Sequence, residues 1–309
     1  MDSRPAAAPA SPTGRVPGAA AAGPWMSAPA GTPEALTALV SGRGVVVLSG
    51  AGLSTESGIP DYRGSTGSRR RGAPMTYQEF TGSAAARQRY WARSHLGLRT
   101  ITGARPNEGH RAVARLAGAG FVSAVITQNV DGLHTAAGTP DAVELHGSLA
   151  RTVCLDCGAR SPRARLDERL DRANPGFRAL AARTNPDGDA VVADEDVARF
   201  RVVDCESCGS GTLKPDVVFF GENVPAHRAA RCYELVEAAS AVLVLGSSLA
   251  VMSGLRFVRH AAKRGTPVAI VNQGATRGDT LAAFRLDQPL GKVLTRLADD
   301  LRCPPQTAA

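Results

Sequence analysis

The sequence predicts an α/β protein: a doubly wound parallel sheet carrying a small inserted metal-binding module. Three observations support this. Short β-branched runs alternate with helix-length amphipathic segments, polar glycine-rich stretches follow the ends of those runs, and one interval breaks the alternation with two Cys-x-x-Cys pairs. Strands alternating with helices pair in parallel through right-handed crossovers, so the helices cover both faces of one sheet.

Residues 1–32 are mostly Ala, Pro and Gly with few large apolar groups, so ordering them buries little to offset the lost entropy, and a disordered tail is expected. A short helix from Glu34 then leads into the run Val45 to Leu48, which ends at Ser49-Gly50-Ala51-Gly52 and reads as a buried strand entering a glycine turn. Similar runs recur at Val122 to Thr127, Ala241 to Leu245 and Val268 to Val271, and amphipathic segments at His110 to Ala119 and Arg228 to Ala239 precede two of them. Ligands of such sheets bind beyond the carboxyl ends of the strands. The loops 50–63, 128–134, 246–248 and 272–274 should therefore converge. Residues 153–213 hold both cysteine pairs and are expected to form the inserted module, between large-domain segments 33–152 and 214–301, with 302–309 as a second tail.

A chain of 309 residues with 43% apolar content can bury a full core. Its basic side chains are nearly all arginine, lysine occurring only at Lys214, Lys263 and Lys292, and the net charge is +8. The arginines are spread along the chain and no aromatic-basic or zinc-finger pattern accompanies them, so a basic enzyme with no nucleic-acid partner is expected. The densest patch, Arg69 to Arg71, reads as a solvated loop. The most apolar stretch, Ala238 to Val251, is too short and serine-broken to span a bilayer, and no signal pattern follows Met1. Metal-type cysteine spacing rather than a disulfide framework points to the cytoplasm.

The chemistry lies at the predicted strand ends. In the segment 50–63, Gly50 and Gly52 allow backbone N–H groups to approach a pyrophosphate, and Ser54, Thr55, Asp61 and Arg63 add polar groups. As a dinucleotide fingerprint it is imperfect, because Thr55 stands where the third glycine is expected, and a plain tight turn fits the glycines equally well. Gln128, Asn129 and Asp131 leave the next strand together, suggesting recognition of a ligand, with an Asn/Asp turn as the alternative. His146, followed by Gly147 at the end of a short strand, is suited to accept a proton near neutral pH. His95, His110, His227 and His260 lack such surroundings and read as surface or core residues.

Cys154, Cys157, Cys205 and Cys208 form two pairs, each followed by glycine, and match two knuckles supplying four thiolates to one zinc ion. Four protein ligands leave no open position for water, so the metal is structural; a dithiol redox pair is the alternative. Cys232 and Cys303 stand alone.

Taken together, GAGLSTESGIPDYRG at 50–64, TQNVDGLH at 127–134, ELHGS at 144–148, the cysteine pairs, LKPDVVFFGE at 213–222, LGSSLAV at 245–251 and VNQG at 271–274 resemble the sirtuin family, in family order. The resemblance implies a Rossmann-like large domain, a small structural zinc module and NAD consumed as a co-substrate. It implies that Gly50, Ala51, Gly52, Ser54, Thr55, Asp61, Tyr62 and Arg63 hold the pyrophosphate and nicotinamide ribose, and that Gln128, Asn129, Val130 and Asp131 contact ribose and nicotinamide. Gly246, Ser247 and Ser248 match a phosphate and ribose turn, Asn272, Gln273 and Gly274 the adenosine ribose contact, and Leu290 an adenine contact. Phe219, Phe220, Gly221 and Glu222 would pair with a substrate peptide as an added strand. His146, assisted by Asn129 and Asp131, would be the catalytic base of an NAD-dependent lysine deacylase whose products are nicotinamide, O-acyl-ADP-ribose and free lysine.

A finer resemblance is to the class II branch and its bacterial relatives. It rests on Tyr62 within PDYR, on Arg87-Gln88-Arg89-Tyr90-Trp91-Ala92-Arg93, and on a long module containing Asn185 to Asp189. Tyr90 and Arg93, three residues apart on a predicted helix, would together favour an acyl group ending in a carboxylate if both face the acyl pocket; a solvent-exposed pair with ordinary helix packing is the alternative. Rival readings are mono-ADP-ribosyl transfer to protein and a non-catalytic NAD-sensing module. The expected partners are acyl-lysine proteins and NAD, with the chain a monomer.

Overall fold

The computed structural model describes residues 28–61, 74–179 and 190–305. Helix α1 (Pro33–Ser41) starts at Thr32, whose hydroxyl accepts the Ala35 N–H, with proline in its first turn. Strand β1 (Val45–Ser49) follows, then two short 3-10 turns at Ala51–Leu53 and Thr55–Ser57. Next come α2 (Tyr77–Gly82), α3 (Ala84–Gly103), α4 (Glu108–Gly118), β2 (Val122–Thr127), α5 (Leu133–Ala136) and β3 (Val143–Glu144). The small unit contributes β4 (Gly147–Cys154), β5 (Arg160–Pro162), α6 (Arg163–Ala173), α7 (Asp194–Arg199) and β6 (Leu213–Val217). The chain returns through α8 (Ala226–Glu237), β7 (Ala241–Leu245), α9 (Met252–Lys263), β8 (Val268–Val271), β9 (Phe284–Leu286) and α10 (Leu290–Asp300).

The large sheet has the order β3-β2-β1-β7-β8-β9 with every pair parallel. Counted within that sheet, the order is 3-2-1-4-5-6, the Rossmann arrangement, with its topological switch between β1 and β7. Alternation along the strands divides the core. Val45 and Val47 of β1 with Leu243 and Leu245 of β7 pack under α1, α4 and α10, whereas Val46, Leu48, Val242 and Val244 pack under α8 and α9. Burial on both faces explains why these strands read as continuous apolar runs.

The second sheet, β5-β4-β6, is antiparallel. It extends past the interval 153–213, because β4 starts at Gly147 and β6 ends at Val217. Its core also recruits α2 and α3: Phe80, Tyr90, Trp91 and Leu96 share one cluster with Leu166, Leu170, Phe200 and the buried cysteines Cys154 and Cys205. Trp91 Nε1–H donates to the Leu213 carbonyl at 3.1 Å.

The described parts of both expected tails are ordered against the large sheet and its helices. Residues 28–31 lie along the open edge of β9, where the Gly31 N–H donates to the Arg285 carbonyl at 2.8 Å and the Arg285 N–H to the Pro29 carbonyl at 3.0 Å. An edge strand leaves backbone groups unpaired, and this segment satisfies them. At the other end Cys303 is buried in the α4–α10 core, and the Arg115 guanidinium bonds the Cys303 and Pro304 carbonyls.

Candidate active site

The crevice beyond β1 and β7 is closed by backbone touching backbone. The Gly50 N–H donates to the Leu245 carbonyl at 2.9 Å and the Gly52 N–H to the Gly246 carbonyl at 2.8 Å. A Cβ on Gly50 would fall 2.8 Å from Ser247 Cβ, and one on Gly52 2.9 Å from Gly246 Cα. Gly246 has φ +60, and its Cβ would meet the Leu53 nitrogen at 2.5 Å and Leu290 Cδ1 at 2.8 Å. These glycines are therefore required by a close approach of two loops. That approach also brings Leu290 beside the turn formed by Gly246, Ser247 and Ser248.

The segment 127–134 is woven into the same crevice. Asn129 Nδ2–H donates to the Gly50 carbonyl and to Ser54 Oγ, each at 3.1 Å. The Ser54 hydroxyl passes to Asp131 Oδ2 at 2.7 Å, and the Leu133 N–H reaches Asp131 Oδ1 at 2.9 Å. Gln128 Nε2–H donates to Ser247 Oγ at 2.8 Å. Residues singled out from separate stretches of sequence thus meet in two neighbouring sets of bonds, Asn129–Ser54–Asp131 and Gln128–Ser247. Burial raises the Asp131 carboxyl, opposed by the bonds from Leu133 and Ser54. Val130 packs in the cluster of Leu133, Leu149 and Phe219.

His146 stands at the mouth, between β3 and β4. Its Nδ1 lies 2.8 Å from the Gln128 carbonyl, and its Nε2 lies 2.8 Å from Ser253 Oγ at the start of α9. A carbonyl only accepts, so Nδ1 carries the proton and Nε2 presents its lone pair. Burial lowers the imidazole to about 4; the Gln128 carbonyl opposes this, while Arg228 and Arg256 reinforce it. At neutral pH the ring is an uncharged base.

On the far side of the crevice, Asn272 Nδ2–H donates to the carbonyls of Gln273 and Gly274 at 3.0 and 2.9 Å, shaping the turn after β8. Thr55 Oγ1–H donates to the Gly52 carbonyl at 2.9 Å. Ala51 lies in the first 3-10 turn, and Asp61 is the last described residue of the first loop. Tyr62, Arg63, the triple arginine 69–71 and Asn185 to Asp189 lie outside the described residues.

The segment Phe219 to Glu222 leaves β6 beside His146, and the Val218 N–H donates to the His146 carbonyl at 2.8 Å. One side of the segment is held by α2: the Tyr77 N–H donates to the Phe220 carbonyl at 2.8 Å, and Gln78 Nε2–H to the Gly221 carbonyl at 3.2 Å. Its turn is braced from within, since Glu222 Oε2 accepts the Phe219 N–H at 2.8 Å and pairs with the buried Lys214 Nζ at 3.0 Å. Burial lowers the Lys214 ammonium, and Glu222 opposes that shift. The Tyr90 ring lies 5.2 Å from the Phe219 ring and 5.3 Å from both Phe80 and Trp91, which places it in the module core beside this segment. Arg93 is half-buried, and its Nε has no hydrogen-bond partner among the described residues.

Some supporting residues escape the sequence reading. Asn107 caps α4 and also donates to the Leu53 carbonyl at 2.7 Å and Ser57 Oγ at 3.0 Å, anchoring the glycine loop from behind. Its signal was legible: Asn107 and His110 form a capping box before an amphipathic run. Glu56 accepts the Gly291 N–H at 3.1 Å and so caps α10. Neither this contact nor that of Ser253 has a local sequence signal.

The four cysteine sulfurs lie within 4.8 Å of one another, with Cys154–Cys208 and Cys157–Cys205 separations of 3.8 Å. Bonds of about 2.3 Å to a tetrahedral zinc give sulfur–sulfur edges of about 3.8 Å, so the cluster fits one structural zinc ion. All four thiols are free of disulfides. A Cβ on Gly211 would lie 2.2 Å from the Cys154 sulfur, so the knuckle needs glycine there.

A sequence profile described as the Sir2 family matches residues 50–253, more than half of the chain. A Streptomyces coelicolor protein named NAD-dependent protein deacetylase 1 is 65% identical over 258 residues, covering 84% of this chain and 86% of that protein. Among solved structures, a Sir2 homolog–NAD complex has a TM-score of 0.69 at 27% identity, covering 89% of this chain and 96% of its own. A Sir2 bound to acetylated peptide has a TM-score of 0.69 at 26% identity, covering 88% and 100%. With a Rossmann sheet, a four-thiolate cluster and a neutral histidine at the switch crevice already in place, these likenesses identify the chain as a member of the Sir2 family.

Proposed function

We propose that the protein is an NAD-dependent protein lysine deacylase, releasing nicotinamide, O-acyl-ADP-ribose and the free lysine. The observation that carries this reading is the state of His146: Nδ1–H is bound to the Gln128 carbonyl, which leaves Nε2 as an uncharged acceptor at the mouth of the crevice, held by the Ser253 hydroxyl. Binding NAD alone does not require a positioned base. In this reading the glycine loop and Gly246 to Ser248 hold the phosphates and riboses, Asn272 to Gly274 and Leu290 the adenosine end, and Gln128 to Asp131 the nicotinamide end. NAD supplies the electrophilic ribose carbon. His146 takes the proton of a ribose hydroxyl, Asn129 and Asp131 orient the groups around it, and Phe219 to Glu222 align the acyl-lysine peptide. The relatives' names and the peptide-bound and NAD-bound structures support substrate and co-substrate alike.

The finer features are likewise our reading: a class II sirtuin, cytoplasmic and monomeric, with Tyr90 and Arg93 lining the acyl pocket. No helix among the described residues is long and apolar enough to cross a membrane.

The deciding experiment is nicotinamide release with NAD and acetyl-, lipoyl-, glutaryl- and long-acyl-lysine peptides, with products identified by mass spectrometry. Acyl-dependent release that is lost in His146→Ala is expected. Label from NAD appearing on protein, with no O-acyl-ADP-ribose, would replace this reading with ADP-ribosyl transfer.

A further inference from the structure

The base has a second holder. Ser253 is a half-buried residue in the first turn of α9, and its hydroxyl sits 2.8 Å from His146 Nε2, across 107 residues of sequence. Nδ1–H is committed to the Gln128 carbonyl, so Nε2 is the acceptor and Ser253 Oγ–H the donor. The ring is thereby fixed at both ends, and neither bond alone would define both its tilt and its direction. The same helical turn is seated on Gln128 through its next residue: a Cβ at Gly254 would fall 2.5 Å from Gln128 Oε1. The loop that holds Nδ1 and the helix that holds Nε2 are therefore packed directly against each other.

We propose that Ser253 is a positioning residue for the deacylation reaction: its hydroxyl aims His146 Nε2 into the crevice and keeps the imidazole neutral until substrate arrives. This rests on His146 being the base. A hydroxyl donating to Nε2 favours the unprotonated ring, because an imidazolium has no lone pair there to accept it. The positive end of α9 acts in the same direction. So do the charged groups facing the ring, Arg228 from α8 and Arg256 from α9. Ribose hydroxyls entering the crevice take over the acceptor as Ser253 turns aside, so the hydroxyl is exchanged rather than consumed.

The test compares wild type, Ser253→Ala and Ser253→Thr, by kcat and KM as functions of pH and by NMR titration of the His146 ring nitrogens. In Ser253→Ala, kcat should fall about fivefold with KM for NAD changed less than twofold. The acid limb and the NMR midpoint should both rise by about 0.5 to 1 pH unit, the size one neutral hydrogen bond supports. Ser253→Thr, which keeps the hydroxyl, should restore both. An NMR midpoint and acid limb identical in wild type and Ser253→Ala would overturn the proposal, as would a Thr variant that behaves like Ala. Absence of acyl-dependent turnover in wild type would defeat the deacylase reading instead, leaving the titration to decide whether Ser253 holds the ring.

Discussion

The Gly52 N–H donates to the Gly246 carbonyl at 2.8 Å, joining the loop after β1 to the loop after β7 at the point where the sheet reverses its winding. The two residues lie far apart in the chain, yet their backbones are so close that no side chain fits between them. Gly246→Ala should therefore destabilise the protein by about 3 kcal/mol, combining a left-handed backbone with overlap on Leu53 and Gly52. Urea denaturation measures the loss and NAD titration the accompanying weakening of binding. A variant with wild-type stability would show that the loops can separate freely.

Removing the metal should melt the small unit while sparing the large sheet. Structural zinc contributes on the order of 10 kcal/mol, whereas the Rossmann core is built without Cys154, Cys157, Cys205 and Cys208. Metal analysis should find one zinc per chain. After chelation or Cys154→Ser, hydrogen exchange should show lost protection in β4, β5, β6 and α6, with β1, β7 and β8 retained. Uniform protection in the metal-free protein would contradict this.

Acid should weaken the fold through histidines that are buried uncharged. Burial is the first cause lowering His110 to about 3 and His134 to about 4, against an ordinary 6.5. Below pH 6.5 the unfolded chain binds protons that the folded chain refuses, so stability is complete above that pH and is lost as pH falls toward 4. Each group contributes at most about 1.4 kcal/mol per pH unit. Unfolding free energy measured at pH 7.5, 6.5 and 5.5 should drop over the last step. A flat profile there would mean that both rings take up protons in the folded protein as readily as in the unfolded chain.

Lys214→Met should loosen the segment that aligns the peptide. It removes the partner of Glu222, which braces the turn at Phe219. Because Glu222 keeps some access to water, the cost should be about 2 kcal/mol rather than that of a fully buried charge. KM for peptide should rise more than KM for NAD, and adding Glu222→Gln should recover part of the stability. Equal rises in both KM values would place the damage elsewhere.

Arg93→Ala tests the acyl pocket. With Tyr90 beside Phe219 and the Arg93 Nε unpartnered among the described residues, loss of the guanidinium should lower glutaryl-lysine turnover at least fivefold relative to acetyl-lysine. An unchanged ratio would remove Arg93 from the pocket.

The parts legible in sequence were those determined locally. The runs at 45–48, 122–127, 241–245 and 268–271 announced β1, β2, β7 and β8 because strands buried on both faces, or nearly so in β2, read as apolar runs, and the glycine loops announced the crevice. Strand β9 did not, since Phe284, Arg285 and Leu286 are few and carry a charge in the middle. Residues 28–31 look like tail because what orders them is an edge more than 250 residues further along the chain. The contribution of α2 and α3 to the small unit was hidden for the same reason: Phe80 and Trp91 are ordinary helix residues until Leu166 and Phe200 meet them. Among the site residues, Gln128, Asn129, Asp131 and His146 stood out by type and spacing, whereas Ser253 is an unremarkable serine until the fold sets it against the imidazole.

Strands β4 and β6 run side by side between the cysteine knuckles and the crevice. At one end Cys154 is paired with Leu213; at the other, Gly147 is paired with Val217, and Val218 is bonded to His146. The ladder is irregular between Gly147 and Thr152, so what the thiolate cluster anchors is the far end of β6, about 13 Å of strand from Val217. A slip of two residues would preserve the faces of the sheet yet carry the peptide segment about 7 Å past the histidine. A zinc ion held there would touch neither reactant, yet it would tether the strand that delivers the peptide segment to the catalytic mouth.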